Sequence, residues 1–376
     1  VPRAAGQDRS RLSGWARHDV GLYVAAAGAS VVGALLVWSA TVRTTGSAYL
    51  VRHLVTAGLG LAVAVLVGRL GRDLVRAAAP WAWLAAVGLL LLVPTPLGAT
   101  VNGSRSWIPL VAGFTLQPAE LAKVGVTLAL AALLAGRLDR GRDLGGRQVL
   151  VAAGVLGVPT LLVLLQPDLG TALVLVALGT VVVVVGGAPR RWVAAAVALA
   201  VAGVVLALTT PLLSDYQRAR LTSFADPTAD PQGAGYQTRQ VRLAIGGGGM
   251  WGQGFMDGSR TQGGFVPFQL NDFVFSVAGE ELGFVGAAGL VVLLGVLVVR
   301  VLVVAARAED TFGRLVGVGV ATWLAVQVVQ NVGMNLGLLP VTGLPLPFVS
   351  YGGSSMLASW LAVGLVDACR AGSDRR

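Results

Sequence analysis

Apolar residues along this chain gather into long blocks instead of alternating with polar ones. The blocks lie near residues 19–41, 48–70, 78–95, 117–136, 149–166, 169–187, 191–212, 273–304, 312–334 and 347–369. Crossing the hydrocarbon core of a bilayer takes about 20 apolar residues in a helix, so each block predicts a membrane-spanning helix. Only the turn around Gln166-Pro167-Asp168 parts the fifth block from the sixth, which predicts a tight helical hairpin. The block at 273–304 is longer than one crossing needs, and tilt or extension beyond the bilayer is expected there. An even number of spans places both termini on one side. The expected fold is an all-α polytopic membrane protein with about ten transmembrane helices.

Composition removes the rivals to this reading. Hydrophobic residues make up 55% of the 376 and charged residues 12%, with a mean hydropathy of +0.76. A soluble domain is about a quarter charged, and a chain this poor in charge could not cover its surface in water. The net charge of +10 follows topology, because arginines fill alternate gaps between blocks. These are Arg3, Arg9, Arg11 and Arg17, then Arg69, Arg72 and Arg76, then Arg137, Arg140, Arg142 and Arg147. The same side continues with Arg190 and Arg191, with Arg300, Arg307 and Arg314, and with Arg370, Arg375 and Arg376. The positive-inside rule makes that side cytoplasmic, so the basic balance does not call for nucleic acid. The chain then divides into a basic cytoplasmic N-terminus (1–18), a single ten-helix domain (19–370) and a cytoplasmic tail (371–376). On the opposite side, the connection between the seventh and eighth spans, about 211–272, is by far the longest. It holds Arg218, Arg220, Arg239, Arg242 and Arg260. Connections that long are usually functional or disordered, and its glycines and aromatics favour an ordered functional loop.

Ionisable groups at membrane depth are costly and mark candidate sites. Glu120 and Lys123, the only lysine, stand three apart at the start of the fourth span and share a helix face. They form either part of a site or a strut locking the helix. Asp168 precedes the sixth span as a natural N-cap, with a site role compatible. Asp272 lies where the long outer connection meets the eighth span, as a helix cap or as a base that accepts a proton from a hydroxyl. Ser350 and Ser354, in Ser350-Tyr351-Gly352-Gly353-Ser354-Ser355, open the tenth span, where they cap the helix or bind an anion. The run Gly246-Gly247-Gly248-Gly249 lacks the Lys-Ser/Thr of a phosphate loop and reads instead as a bent, closely packed segment. A single cysteine, Cys369, excludes an intrachain disulfide, and His18 and His53 have no metal-binding spacing.

Several separated segments resemble the SEDS family (shape, elongation, division and sporulation proteins), which includes the bacterial rod-shape and septum glycosyltransferases. The resemblance runs from about residue 19 to 370. It is carried by Gln117-Pro118-Ala119-Glu120-Leu121-Ala122-Lys123, by Gln166-Pro167-Asp168-Leu169-Gly170-Thr171 and by Asp215-Tyr216-Gln217-Arg218-Ala219-Arg220. Asn271-Asp272-Phe273-Val274-Phe275 and the long run from Asn331 through Pro340-Val341-Thr342-Gly343 to Phe348 complete it. The second and third segments lean towards the rod-shape branch.

The resemblance implies a peptidoglycan glycosyltransferase that polymerises lipid II at the outer face of the bacterial cytoplasmic membrane during wall elongation. It matches Asp272 to the family's catalytic aspartate. Lys123, Glu120, Asp168, Arg218, Arg220, Ser350 and Ser354 become the substrate-binding or electrostatic candidates. Where the family commonly has Pro-Glu-x-His-Thr-Asp, this chain has Pro267-Phe268-Gln269-Leu270-Asn271-Asp272, so helper roles for the Glu and His are absent. The residues form no complete metal site and fix no cofactor, which leaves open a divalent cation, Mg or Mn, held partly by substrate phosphate. The implied partner is a class B penicillin-binding protein, a transpeptidase. The rival reading is a flippase for the same lipid-linked precursor, which needs a polar path reaching both sides. A third is a non-catalytic scaffold for the transpeptidase.

Overall fold

The computed structural model describes residues 18–101, 104–110, 114–141, 144–195, 198, 224 and 233–370. Helix α1 (Val20–Thr45) begins at Asp19, whose carboxylate accepts the Leu22 amide hydrogen at 2.9 Å and so satisfies an orphan donor of the first turn. Helices α2 (Ala48–Gly68) and α3 (Arg72–Leu92) follow across short turns. A small antiparallel sheet that the apolar pattern did not predict comes next: β1 (Ala99–Val101), β2 (Ser104–Pro109) and β3 (Thr115–Leu116), in that order. Helix α4 (Pro118–Leu138) opens on a proline, whose missing N–H is one of the orphans anyway. Helices α5 (Gly146–Leu164) and α6 (Leu169–Val185) form the predicted hairpin. Residues 190–195 are helical, and most of the predicted span 191–212 lies outside the described residues.

Beyond residue 233 the long connection is not a plain loop. It contains α7 (Ala234–Gly248) and a single turn, α8 (Ser259–Gln262). The predicted block at 273–304 is likewise two helices, α9 (Val274–Glu281) and α10 (Gly283–Ala306). The chain breaks at Gly283, whose φ of 67° only glycine adopts readily. This break lets the turn after α7 dock: Phe284 N donates to Gly249 O at 2.9 Å and Val285 N to Met250 O at 3.2 Å. Side chains at Gly248 or Gly252 would overlap the carbonyl oxygens of Gly279 and Glu281. Within the glycine run, Gly248 is thus closely packed as the sequence suggested, whereas Gly246 and Gly249 have open space where a side chain would sit. Helices α11 (Thr311–Leu336) and α12 (Gly353–Ala368) complete the bundle.

Among the described residues, α1 to α5, α10 and α11 are long and apolar enough to cross a membrane, and α6 and α12 are shorter apolar helices. Helices α4 and α11 are the most enclosed of the long ones, with 61% and 67% of their apolar windows buried against 22% for α2 and α3. These two helices, which carry the buried Glu120–Lys123 pair and the buried amides Gln327, Asn331 and Asn335, thus run through the middle, while α2 and α3 face outward. At the far end from Asp272, buried Asp367 of α12 accepts the Asp19 amide hydrogen (3.0 Å) and the Tyr23 hydroxyl (3.3 Å), and pairs with His18.

Helix α12 packs on α2 through a stripe of small residues, Gly60, Ala64 and Gly68, spaced by four, which allows close backbone approach. A methyl group at Gly364 would lie 2.6 Å from Ala64 O, and one at Gly60 would lie 2.6 Å from Trp360 Cδ1. Gly364→Leu is expected to destabilise the detergent-solubilised protein by about 1–3 kcal/mol through overpacking, read as a lower thermal unfolding midpoint. Gly58→Leu, with open space around it, should leave the midpoint unchanged. Equal midpoints for the two variants would contradict the close α2–α12 contact.

Candidate active site

Asp272 lies on the turn joining α8 to α9, one residue before Phe273, the N-cap position of α9. The turn is built on Phe268, whose φ of 54° is uncommon outside glycine. Its carbonyl accepts the amide hydrogens of Asn271 (3.1 Å) and Phe273 (3.3 Å). Three successive carbonyls are then bonded from elsewhere in the chain. Leu270 O accepts from Tyr351 N at 2.8 Å, and Asn271 O accepts from Ser350 Oγ at 2.6 Å. Asp272 O accepts from Asn331 Nδ2 at 2.9 Å and from Asn335 Nδ2 at 3.1 Å. Asp272 is half-buried, whereas Phe273 and all of α9 are buried. The carboxylate therefore stands at the edge of the packed region, on a backbone held by two other elements.

Glu120 and Lys123 pair as their spacing predicted, with Lys123 Nζ 2.9 Å from Glu120 Oε1. Both residues are fully buried. Lys123 Nζ also donates to Gln327 Oε1 at 3.0 Å and sits 4.5 Å from the centroid of the Trp323 ring, a cation–π contact. Trp323 Nε1 donates to the same Gln327 oxygen. The ammonium is thus enclosed by groups of α4 and α11, while Glu120 Oε2 is buried without a hydrogen-bond partner.

Asp168 serves as the N-cap and also as a tie between helices. Its Oδ1 accepts from Thr171 N at 2.9 Å, and its Oδ2 accepts from Thr171 Oγ1 at 2.8 Å and from Gln117 Nε2 at 3.1 Å. The starts of α4 and α6 therefore converge. Burial raises the Asp168 carboxyl above its ordinary pKa, against the lowering effect of the Thr171 hydrogen bonds, while Glu120 and Lys123 act on it in opposite senses. The small sheet covers this corner, with Ser104 Oγ and Ser106 Oγ donating to Gln166 O at 2.8 and 2.9 Å.

Ser350 and Ser354 are buried, and their hydroxyls serve the backbone. Ser350 Oγ accepts from Leu346 N at 2.8 Å while it bonds the Asp272 turn. Ser354 Oγ accepts from Gln117 N at 2.9 Å and donates to Thr115 O at 3.0 Å, fixing the start of α4. Arg218 and Arg220 lie outside the described residues. No group of three His, Cys, Asp or Glu side chains converges among the described residues.

Sequence reasoning missed Asn331 and Asn335 of α11 as supports of the Asp272 turn. Gln327, Gln330, Asn331 and Asn335 recur at helical spacing within or beside the apolar block 312–334, so they line one face. Each donates to a backbone carbonyl of a non-helical segment: Gln327 to Pro345 O (3.3 Å), Gln330 to Pro340 O (2.9 Å), Asn331 to Leu344 O (2.8 Å), and Asn335 to Asp272 O. That spacing was the available signal.

A family model named for FtsW, RodA and SpoVE, and described as "Cell cycle protein", matches residues 20–373. The chain belongs to this family. It is 37% identical over 340 residues to the peptidoglycan glycosyltransferase MrdB of Escherichia coli K12, covering 89% of each chain. It is 39% identical to a probable peptidoglycan glycosyltransferase FtsW of Thioalkalivibrio sulfidiphilus, over 97% of this chain and 92% of the relative. Among solved structures, it is similar to a chain from work described as "Structural coordination of polymerization and crosslinking by a peptidoglycan synthase complex". That match has 36% identity and a TM-score of 0.79, and covers 96% of this chain and 99% of that one. The family and the multi-pass membrane architecture expected from the sequence are thereby established.

Removing one member of a buried ion pair leaves an uncompensated charge and costs about 3–5 kcal/mol, whereas replacing both is often close to neutral. Lys123→Met alone should therefore lower the unfolding midpoint sharply, and Glu120→Leu together with Lys123→Met should restore most of it. A double variant no more stable than Lys123→Met would count against the pair as a strut.

Proposed function

We propose that this protein polymerises lipid II into glycan strands, with Asp272 as the general base. The observation that carries the reading is a half-buried aspartate at the end of the bundle, on a turn whose backbone is fixed by α11 and by the segment before α12. Family membership and the similarity to MrdB and FtsW support the reaction class. In the proposed step, the Asp272 carboxylate takes the proton from the 4-hydroxyl of the acceptor sugar. That oxygen attacks the anomeric carbon of the donor, the bond to the lipid pyrophosphate breaks, and the configuration inverts. Pyrophosphate is a good leaving group, so the second carboxylic acid that glycoside hydrolysis requires is not needed. Arg218 and Arg220 are the candidates for holding phosphate oxygens. A divalent cation, Mg or Mn, would add charge neutralisation when bound between substrate phosphates.

The arginine pattern supports a bacterial cytoplasmic membrane setting with both termini inside and the Asp272 end outside. Relatives named MrdB and FtsW match at similar identity, and the segments 166–171 and 215–220 favour elongation. A class B penicillin-binding protein is the proposed partner, supported by the likeness to a chain of a complex that couples polymerisation to crosslinking.

The test is polymerisation of purified lipid II by the detergent-solubilised protein with its cognate transpeptidase. Asp272→Asn keeps the size and removes the base, so turnover should fall by about 10²–10⁴-fold while lipid II still binds. Equal turnover in the wild type and the variant would remove Asp272 as the base. Translocation of lipid II in liposomes without any polymer would replace the reading with a flippase.

A further inference from the structure

We infer that Asn331, assisted by Asn335, is a positioning residue for Asp272, an inference that rests on the base reading above. Asp272 lies two residues before the first residue of α9, so the main-chain ladder of that helix does not hold its carbonyl oxygen. Two side-chain amides of α11 hold it instead, Asn331 at 2.9 Å and Asn335 at 3.1 Å. Asn331 uses its second N–H on Leu344 O at 2.8 Å, so one fully buried NH2 group joins the Asp272 turn to the segment preceding α12. Asn335 is itself braced, donating to Asn331 O at 2.8 Å.

The chemistry of the joint selects asparagine. Two carbonyl oxygens from different segments need two donors on one short side chain. Aspartate would present only acceptors, and an apolar side chain would leave both carbonyls without these partners in a dry interior. Loss of the joint lets the turn shift, and a misplacement of about 1 Å at a reacting group costs on the order of 100-fold in rate. Substrate contacts elsewhere would be untouched, so the effect falls on kcat and leaves KM in place.

The experiment compares lipid II polymerisation, lipid II binding and thermal unfolding for Asn331→Ala, Asn335→Ala, Gln330→Ala and Asp272→Asn. Gln330 is the control. It lies on the same helix and donates to Pro340 O at 2.9 Å, but has no bond to the Asp272 turn. The expected result is a fall in kcat of roughly 10–100-fold for Asn331→Ala, a smaller fall for Asn335→Ala, and KM within about threefold of wild type in both. Gln330→Ala should keep kcat at a similar loss of unfolding midpoint. Should Asn331→Ala fail to fold, Asn335→Ala removes just one of the two donors and carries the test alone. Unchanged kcat in the asparagine variants beside an inactive Asp272→Asn would overturn the positioning role and leave the base reading intact. An equal loss in Gln330→Ala would also overturn it, as general destabilisation. An active Asp272→Asn would overturn the base reading, and the positioning role with it.

Discussion

Non-helical backbone inside a membrane protein needs partners for its carbonyl oxygens, since there is no water to supply them. Here the partners are the side-chain amides along one face of α11. Gln327, Gln330 and Asn331 reach Pro345, Pro340 and Leu344, while Asn331 and Asn335 reach Asp272. This permits two irregular segments, 268–273 and 338–352, to lie against each other at the end of the bundle. They cross-link directly as well, through Tyr351 N to Leu270 O and Asn271 Nδ2 to Tyr351 O, both at 2.8 Å. A helix in either place would satisfy its own backbone and leave nothing free to fix Asp272.

A second set of buried polar groups fastens the approach to that turn. Glu280 accepts the amide hydrogens of Arg260 and Thr261 at 2.8 Å each, and the Thr261 hydroxyl at 2.7 Å. A carboxylate at exposed N–H groups is favourable, and charge-assisted bonds are the stronger kind. Glu281 accepts the Ser39 hydroxyl at 2.6 Å, which ties α9 to α1. Gln262 Nε2 also donates to Glu281 at 3.1 Å, so both carboxylates meet α8, and after Glu281 the chain turns at Gly283 into α10. The break in the eighth apolar block thus serves the site: it frees α9 to act as a short buried post, and α10 alone crosses the bilayer.

The spans were legible because their signal is local. Twenty apolar residues and alternating arginines report the solvent around a segment, and solvent is what hydropathy measures. Glu120 with Lys123 and Asp168 as a cap were legible for a similar reason, since their partners lie three residues away. The break at Gly283 was not, because Gly279-Glu280-Glu281-Leu282-Gly283 interrupts the block too briefly to change its average. Neither was the sheet of β1 to β3, whose longest strand has six residues. The amides of α11 were hidden most thoroughly. Their value depends on carbonyls that arrive from 10 to 63 positions away, and no window along the sequence holds both ends.

The charged groups differ in what holds them, and the difference bears on what each can do. Lys123 is enclosed by Glu120, Gln327 and the Trp323 ring, in surroundings where moving it would strand Glu120. Such a group is poorly suited to meeting a substrate and well suited to holding α4 against α11. Asp168 is bonded by Thr171 and Gln117 and fixes where α4 and α6 begin. At Asp272 the main-chain carbonyl is held by Asn331 and Asn335, on a residue that is half-buried. A base needs that arrangement, because a carboxylate that must accept a proton from an incoming sugar has to be placed without being enclosed. The buried Glu120–Lys123 pair thus supplies rigidity, and Asp272 is the carboxylate proposed for the reaction.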